Sequence, residues 1–316
     1  MSQKHATLLV LAALIALSPL FFPSGYYYRI GALMFVNALA VTGIVILTGY
    51  AGQISLGHAG FAGIGGYACA LAPVHWGLPP ALAVVLGAAI SAVLAYLVGR
   101  PILRLKGYYL GVASLGFGIL VAMVLNNERQ LTKGPDGIEV PDLGLRGLLK
   151  DMGLDLSNGE FWYALTGIAL LIGAWLALNL YHSPTGRALR ALHGSEVAAG
   201  TVGIDVARVK LQAFVISAVY ASVAGSLLAL QNKFVTPDVA GFMHSIEMVT
   251  MAVLGGVGSV PGAVIGAGIL TLLPQVLTVF ADYEQVILGL VMMLVMIFLP
   301  QGLVPSILRK FRGRDE

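Results

Sequence analysis

Few side chains in this sequence are placed to do chemistry, and the candidates sit inside apolar runs. Gln53, Ser55 and His58 follow one another closely in an uncharged stretch. An amide, a hydroxyl and an imidazole at bilayer depth can hydrogen-bond a passing solute. Glu247 lies in a short apolar run. A charge there costs about 2.5–3.5 kcal/mol on insertion scales, so it marks either the interface or a pathway. Bond-making constellations are missing. The sequence has no G-x-x-x-x-G-K-[ST], no G-x-S-x-G and no H-E-x-x-H, and its six histidines form no close pair. The run from Gly256 to Gly262 resembles a dinucleotide loop only loosely, because Pro261 stands where the third glycine belongs. One cysteine, Cys69, excludes a disulfide scaffold and a cysteine zinc site. The reading is a non-catalytic chain without a metal or cofactor of its own.

Glycines are the second informative set. Gly57, Gly60, Gly63 and Gly66 recur at every third residue, and Gly255, Gly256 and Gly258 cluster in the second half. Small residues let helices pack closely in a membrane. Glycine also costs about 1 kcal/mol in a helix interior. Glycine-interrupted apolar segments in corresponding halves point to broken helices and a transport pathway. These seven glycines are therefore candidate helix breaks and gate residues, and their placement suggests an internal pseudo-repeat.

The elements that must hold these groups follow from composition. Of 316 residues, 58% are apolar and only 10% charged, against about 25% charged in a soluble domain. A soluble globule of this length could not cover its surface, and a disordered chain would be poor in apolar residues. An all-α polytopic membrane protein remains. A bilayer core about 30 Å thick needs about 20 apolar residues. Runs of that kind occur at Ala6–Phe22, Ile30–Tyr50, Gln53–Leu71, Pro79–Val98, Tyr108–Leu125, Phe161–Tyr181 and Leu211–Gln231. Ser245–Gly258 is shorter, and Gly262–Phe280 and Tyr283–Leu299 follow. That gives about ten transmembrane helices, some broken or short, in one domain over residues 1–316. The first run reads as a helix rather than a cleaved signal, because Pro19 follows its small residues directly.

The net charge of +3 invites a nucleic-acid reading, but the cations sit in short loops between apolar runs. With ten spans, the side holding both termini carries twelve Lys and Arg and the other side six. Both termini are then cytoplasmic. Residues 126–160 form an outward insertion with Gly134-Pro135-Asp136-Gly137 as turn chemistry. Residues 182–210 form a cytoplasmic loop. Ser183-Pro184-Thr185-Gly186 is a helix start signal, Gly194-Ser195 a break, Ser195 a cap for a short helix through Ala199, and Gly200 or Gly203 its stop. No chain of Asp, Glu or His runs through the spans, which weighs against an autonomous ion-driven transporter.

Four blocks in order resemble a known family. They are Gly49 through Tyr67; Gly107-Tyr-Tyr-Leu with Leu131 through Gly137; Ser183 through Leu192 with Glu196 through Ala199, Gly203-Ile-Asp205 and Lys210; and Val253 through Ser259 with Pro261 through Ala267. Over residues 30–303 the chain is similar to the LivM-type permeases of the branched-chain amino-acid ABC importer family. The resemblance implies a bacterial inner-membrane permease. Its partners would be two cytoplasmic ATPases that hold ATP and Mg, a second homologous permease of the LivH type and a periplasmic binding protein. The third block is similar to the EAA loop that docks into the ATPase, with Arg187, Glu196, Ala198, Ala199, Gly203 and Asp205 as its residues. The general pattern is Glu-Ala-Ala, three residues, then Gly. Here the alanines and Gly203 keep the spacing, and Glu196 stands one position early. The implied solutes are branched-chain or other hydrophobic or neutral amino acids. Related importers carry urea, amides or aromatic acids.

Overall fold

The computed structural model describes residues 3–276, apart from Met152 and Leu154, and scattered residues between 286 and 306. Most of the expected span Tyr283–Leu299 and the C-terminal cations lie outside the described residues, as does the end of the span expected over Gly262–Phe280. The helices are α1 (Gln3–Leu17), α2 (Gly25–Ile44), α3 (His58–Trp76), α4 (Pro80–Ile102), α5 (Tyr108–Asn127), α6 (Arg129–Thr132) and α7 (Leu145–Asp151). They continue with α8 (Asn158–His182), α9 (Pro184–Gly194), α10 (Glu196–Thr201), α11 (Val206–Asn232), α12 (Phe242–Gly255) and α13 (Val260–Val276). The only described strands, β1 (Ile138–Glu139) and β2 (Phe234–Val235), pair antiparallel with Ile138 opposite Val235.

Six described segments are long and apolar enough to cross a bilayer: Lys4–Phe21, Gly25–Tyr50, α4, α5, α8 and α11. Helices α12 and α13 are shorter and apolar. The chain is a multi-pass helical membrane protein. Helix α2 continues into a π-helical turn, Val45–Tyr50, a wider winding often found at functional sites.

Helices α2, α3 and α11 form the centre, and small residues let them touch. A Cβ on Gly225 of α11 would stand 2.0 Å from Ala62 O of α3, and one on Gly65 would stand 2.0 Å from Ser222 O. The pairing of His58 with Ser217 and of Gly66 with Ala229 sets α3 parallel to α11. His58 opens α3 opposite Ser217, which is near the middle of the 27-residue α11. The third span therefore does not begin as a helix at Gln53. Residues 52–57 are non-helical, and α3 starts at mid-bundle depth. Its other end closes on Gly77 in the left-handed region.

A second half-length helix starts at the same depth. Ala240, just before α12, packs against Gly63 of α3, and α12 runs from Phe242 to the turn at Gly256, next to α13. Non-helical backbone at membrane depth is tolerated only inside protein or beside a cavity. Here Gln53, Ser55 and Gly57 are all buried.

Candidate functional site

The connection from α8 to α11 folds as two short helices because a serine caps each. Ser183 Oγ accepts the Gly186 N–H at 3.0 Å and opens α9, and Ser195 Oγ accepts the Ala198 N–H at 3.3 Å and opens α10. Asp205 Oδ1 accepts the Arg208 N–H at 3.0 Å and opens α11. These caps satisfy helix N–H groups that have no intrahelical partner. Of the two glycines expected as a stop, Gly200 lies inside α10 and Gly203 follows it at φ +85°, a conformation that favours glycine.

This loop is fastened to the bundle. Arg190 Nη1 donates to Tyr181 O at 2.7 Å, and its guanidinium lies 3.9 Å from the Tyr181 ring centroid. The Tyr181 ring meets Tyr50, at the end of the π-helical turn, at 5.1 Å. Leu189, Leu192 and Ala199 face inward, while Arg187, Ala198 and Gly203 are exposed. The two alanines of the motif therefore differ: Ala199 packs and Ala198 faces out. Val197, inside the motif but given no role by the sequence, and Val202, which the sequence reading passed over, are each 75% exposed. Their signal was two apolar residues flanking small ones in an otherwise solvated loop.

Glu196 joins the loop to the core. It pairs with Lys210, whose side chain is only 3% exposed, and it accepts from Gln53 Nε2 at 3.4 Å. Burial alone would raise the Glu196 pKa. The Lys210 ammonium, the Gln53 amide and the charge of Lys106 outweigh burial and hold it below the usual carboxylate range. The one-position offset of Glu196 from the general pattern thus has a local role, since at 196 the side chain reaches Lys210 and Gln53. Sequence reasoning placed Gln53 and Glu196 in different sites, and the fold brings them into one.

From Gln53 the chain climbs to His58. Leu56 N–H donates to Ser114 Oγ at 3.0 Å, and Ala59 N–H donates to Ser245 Oγ at 3.2 Å. His58 Nε2 and Ser217 Oγ lie 2.5 Å apart, and the ring packs edge-on against Phe61 and Phe214. Among the described residues, Ser55 Oγ and His58 Nδ1 are buried without a hydrogen-bond partner. A buried polar atom left so costs about 1–3 kcal/mol, which is the kind of expense found at functional sites. Glu247 does not join this group. Its side chain is 52% exposed and lies 3.4 Å from His244 Nδ1, and Ser245 is the α12 residue that reaches the start of α3.

The glycines divide. Gly57 immediately precedes α3 at the break, with an added Cβ 2.1 Å from Ser114 O. Gly60, Gly63 and Gly66 do not break the helix; α3 runs unbroken through them, and they admit α5, Ala240 and β2. Gly255 ends α12, Gly256 takes φ +112°, and Gly258 lies in the turn before α13. A Cβ on Gly255 would stand 1.8 Å from Gly262 O.

A family model described as branched-chain amino acid transport system, permease component, matches residues 27–296. The chain belongs to this family. Among curated members of this permease family, it is 32% identical to the high-affinity branched-chain amino acid transport system permease protein LivM of Salmonella typhimurium, over 96% of this chain and 75% of the relative. It is 29% identical to LivH of the same organism, over 84% of this chain and 90% of the relative. It is also 30% identical to the ribose import permease protein RbsC of Escherichia coli, over 93% and 92%. No solved structure matches the chain significantly.

Proposed function

We propose that this chain is the membrane-spanning permease of an ATP-driven importer for branched-chain or other neutral amino acids. Helices α9 and α10 are the element that docks into an ATPase. The observation that carries the coupling is the Glu196–Lys210 pair with Gln53 on it, because it ties the exposed helices to residues 52–57. A switch needs a difference in affinity between two states. An ATPase that grips Val197, Ala198 and Val202 more tightly in one nucleotide state would pull on Glu196 and, through Gln53, on the segment leading to Ser55 and His58.

The remaining assignments follow. The α9–α10 end, where Arg100, Arg104, Lys106, Arg208 and Lys210 gather, is the cytoplasmic end, with both termini on it and about ten spans in all. Lys4 supports this by reaching Asn179 near the end of α8. Residues 126–160, tied to β2 through β1, are the periplasmic insertion, and residues 182–210 the coupling loop. The breaks at 52–57 and 256–259 mark the two halves of the pseudo-repeat. Two ATPases holding ATP and Mg, a LivH-type second permease and a periplasmic binding protein complete the assembly, and this chain binds no cofactor. The exposed Glu247 on the half-length α12 fits a face turned to the second permease and the pathway rather than to lipid.

The similarity to a ribose import permease favours a second reading, in which the solute is a neutral sugar. The test is uptake by the complex purified through this chain and reconstituted in vesicles with its binding protein. Labelled leucine should accumulate only with ATP. Accumulation of ribose instead selects the second reading, and accumulation driven by an ion gradient without ATP overturns both.

A further inference from the structure

Helices α4 and α11 touch at Gly99, where an added Cβ would stand 2.9 Å from the Phe214 ring. Around Gly99 and on toward the end that carries α9 and α10, the two helices border a cavity of about 1290 Å³. Its lining is of two kinds. At the end of α4 and the first turn of α11 stand Arg100, Arg104, Lys106 and Arg208, all exposed. Arg104, Lys106 and Arg208 make no ion pair among the described residues. One to two turns deeper the wall is apolar, formed by Leu211, Val215 and Ile216 of α11. The Tyr96 hydroxyl and ring hold Arg100 in place, with the guanidinium 4.2 Å from the ring centroid.

The acids do not neutralise this set. Glu196 is paired with Lys210 and feels Lys106 only at longer range, and Asp205 is turned to the Arg208 N–H. Four cations therefore face one carboxylate. The site lies where a bilayer-spanning helix pair leaves the hydrocarbon, with charge on the water side and apolar wall on the membrane side.

We infer that this cavity holds an anionic phospholipid. Its phosphodiester sits among Arg104, Lys106, Arg208 and Arg100, and an acyl chain lies along Leu211 and Val215. Basic pockets between helices at a membrane surface suit such headgroups. A zwitterionic lipid would add no net negative charge to neutralise the cations, and inorganic phosphate would leave the apolar wall unused. Because Glu196 and Val197 line the same cavity, the lipid would also pack beside α10. The inference needs only that this end is a membrane surface, and it stands whether or not the importer reading does.

The test uses the chain purified in mild detergent with whatever subunits accompany it. Thermal unfolding is followed with phosphatidylglycerol, phosphatidylcholine or inorganic phosphate added. Phosphatidylglycerol should raise the melting temperature by about 3 °C, as expected for a ligand of the folded state, and phosphatidylcholine should not. The shift should vanish in Arg104→Gln/Lys106→Gln/Arg208→Gln and persist in Lys133→Gln/Lys150→Gln, whose positions are outside the cavity. Val215→Trp, which fills the apolar wall and keeps every cation, should also abolish it. An equal shift with phosphatidylcholine, an equal shift with phosphate alone, or a full shift in either cavity variant overturns the inference.

Discussion

Gln53 and Glu196, 143 residues apart, meet at 3.4 Å, and the same carboxylate pairs with buried Lys210. One side chain of the loop thereby touches both the start of α11 and the start of the non-helical climb to α3. Losing Glu196 does not remove a surface ion pair of little worth; it leaves a lysine that is 3% exposed without its counter-charge. Breaking one partner of a buried pair is costly, and replacing both is often tolerated. Glu196→Gln should therefore destabilise the chain by about 2 kcal/mol, seen as a lowered melting temperature. Glu196→Gln/Lys210→Met should recover most of that stability while leaving uptake impaired. If the double variant were less stable than the single one, the pair would not be the source of the effect.

The pH dependence of that contribution has a definite sign. The Glu196 pKa is held below its usual range, and an unfolded glutamate titrates near 4.3. A depressed carboxylate binds more protons unfolded than folded, so its stabilisation is complete above the unfolded value. It is lost as the pH falls through the folded value. The difference in melting temperature between wild type and Glu196→Gln should be constant from about pH 6 to 8. It should shrink below about pH 4. A difference that grew on acidification would contradict the assignment.

Docking by α10 makes a separate prediction. Ala198 is exposed and Ala199 is packed, so the two should respond differently to bulk. Ala198→Arg should keep the stability within about 0.5 kcal/mol of wild type, as for a surface change, and should lower ATP-driven uptake at least tenfold. Ala199→Arg should fail by misfolding. Normal uptake with Ala198→Arg in an assembled complex would remove α10 from the coupling path.

Much of this site was legible in the sequence. Ser183, Ser195 and Gly203 announce α9 and α10 by cap and stop chemistry, which is local. The apolar runs announce α4, α5, α8 and α11 for the same reason. Gly60, Gly63 and Gly66 were misread as breaks because a glycine repeat looks the same whether it interrupts a helix or admits a neighbour. Only the neighbours (Gly118, Ala240 and Val235) decide. The start of α3 at His58 rather than Gln53 depends on Ser114 and Ser245, which are distant in sequence. The burial of Lys210 was equally hidden, since a lysine four residues into a long helix reads as a solvated end.

Ser55 tests whether the climb to α3 carries solute. Its hydroxyl is buried and without a partner among the described residues. A purely structural role predicts that Ser55→Ala costs nothing and leaves uptake alone, because removing an unsatisfied hydroxyl spares its desolvation. The pathway role predicts an unchanged or slightly higher melting temperature together with a severalfold fall in uptake at wild-type ATPase activity. Wild-type uptake would exclude Ser55 from the pathway.

The glycines offer the sharpest contrast between packing and propensity. Gly225 and Gly111 both lie inside helices, α11 and α5. Alanine is better than glycine by about 1 kcal/mol in a helix interior, so propensity alone predicts that both Gly→Ala changes stabilise. Space separates them. A Cβ on Gly225 would stand 2.0 Å from Ala62 O, whereas one on Gly111 meets nothing within 4 Å. The backbone of α3 cannot retreat, because its own Gly65 is pressed against Ser222 O one turn away. Gly225→Ala should therefore force α3 and α11 apart and lower the melting temperature by several degrees, with loss of uptake. Gly111→Ala should leave it equal or higher. Equal melting temperatures for the two variants would mean that the close approach of α3 and α11 does not hold the bundle together.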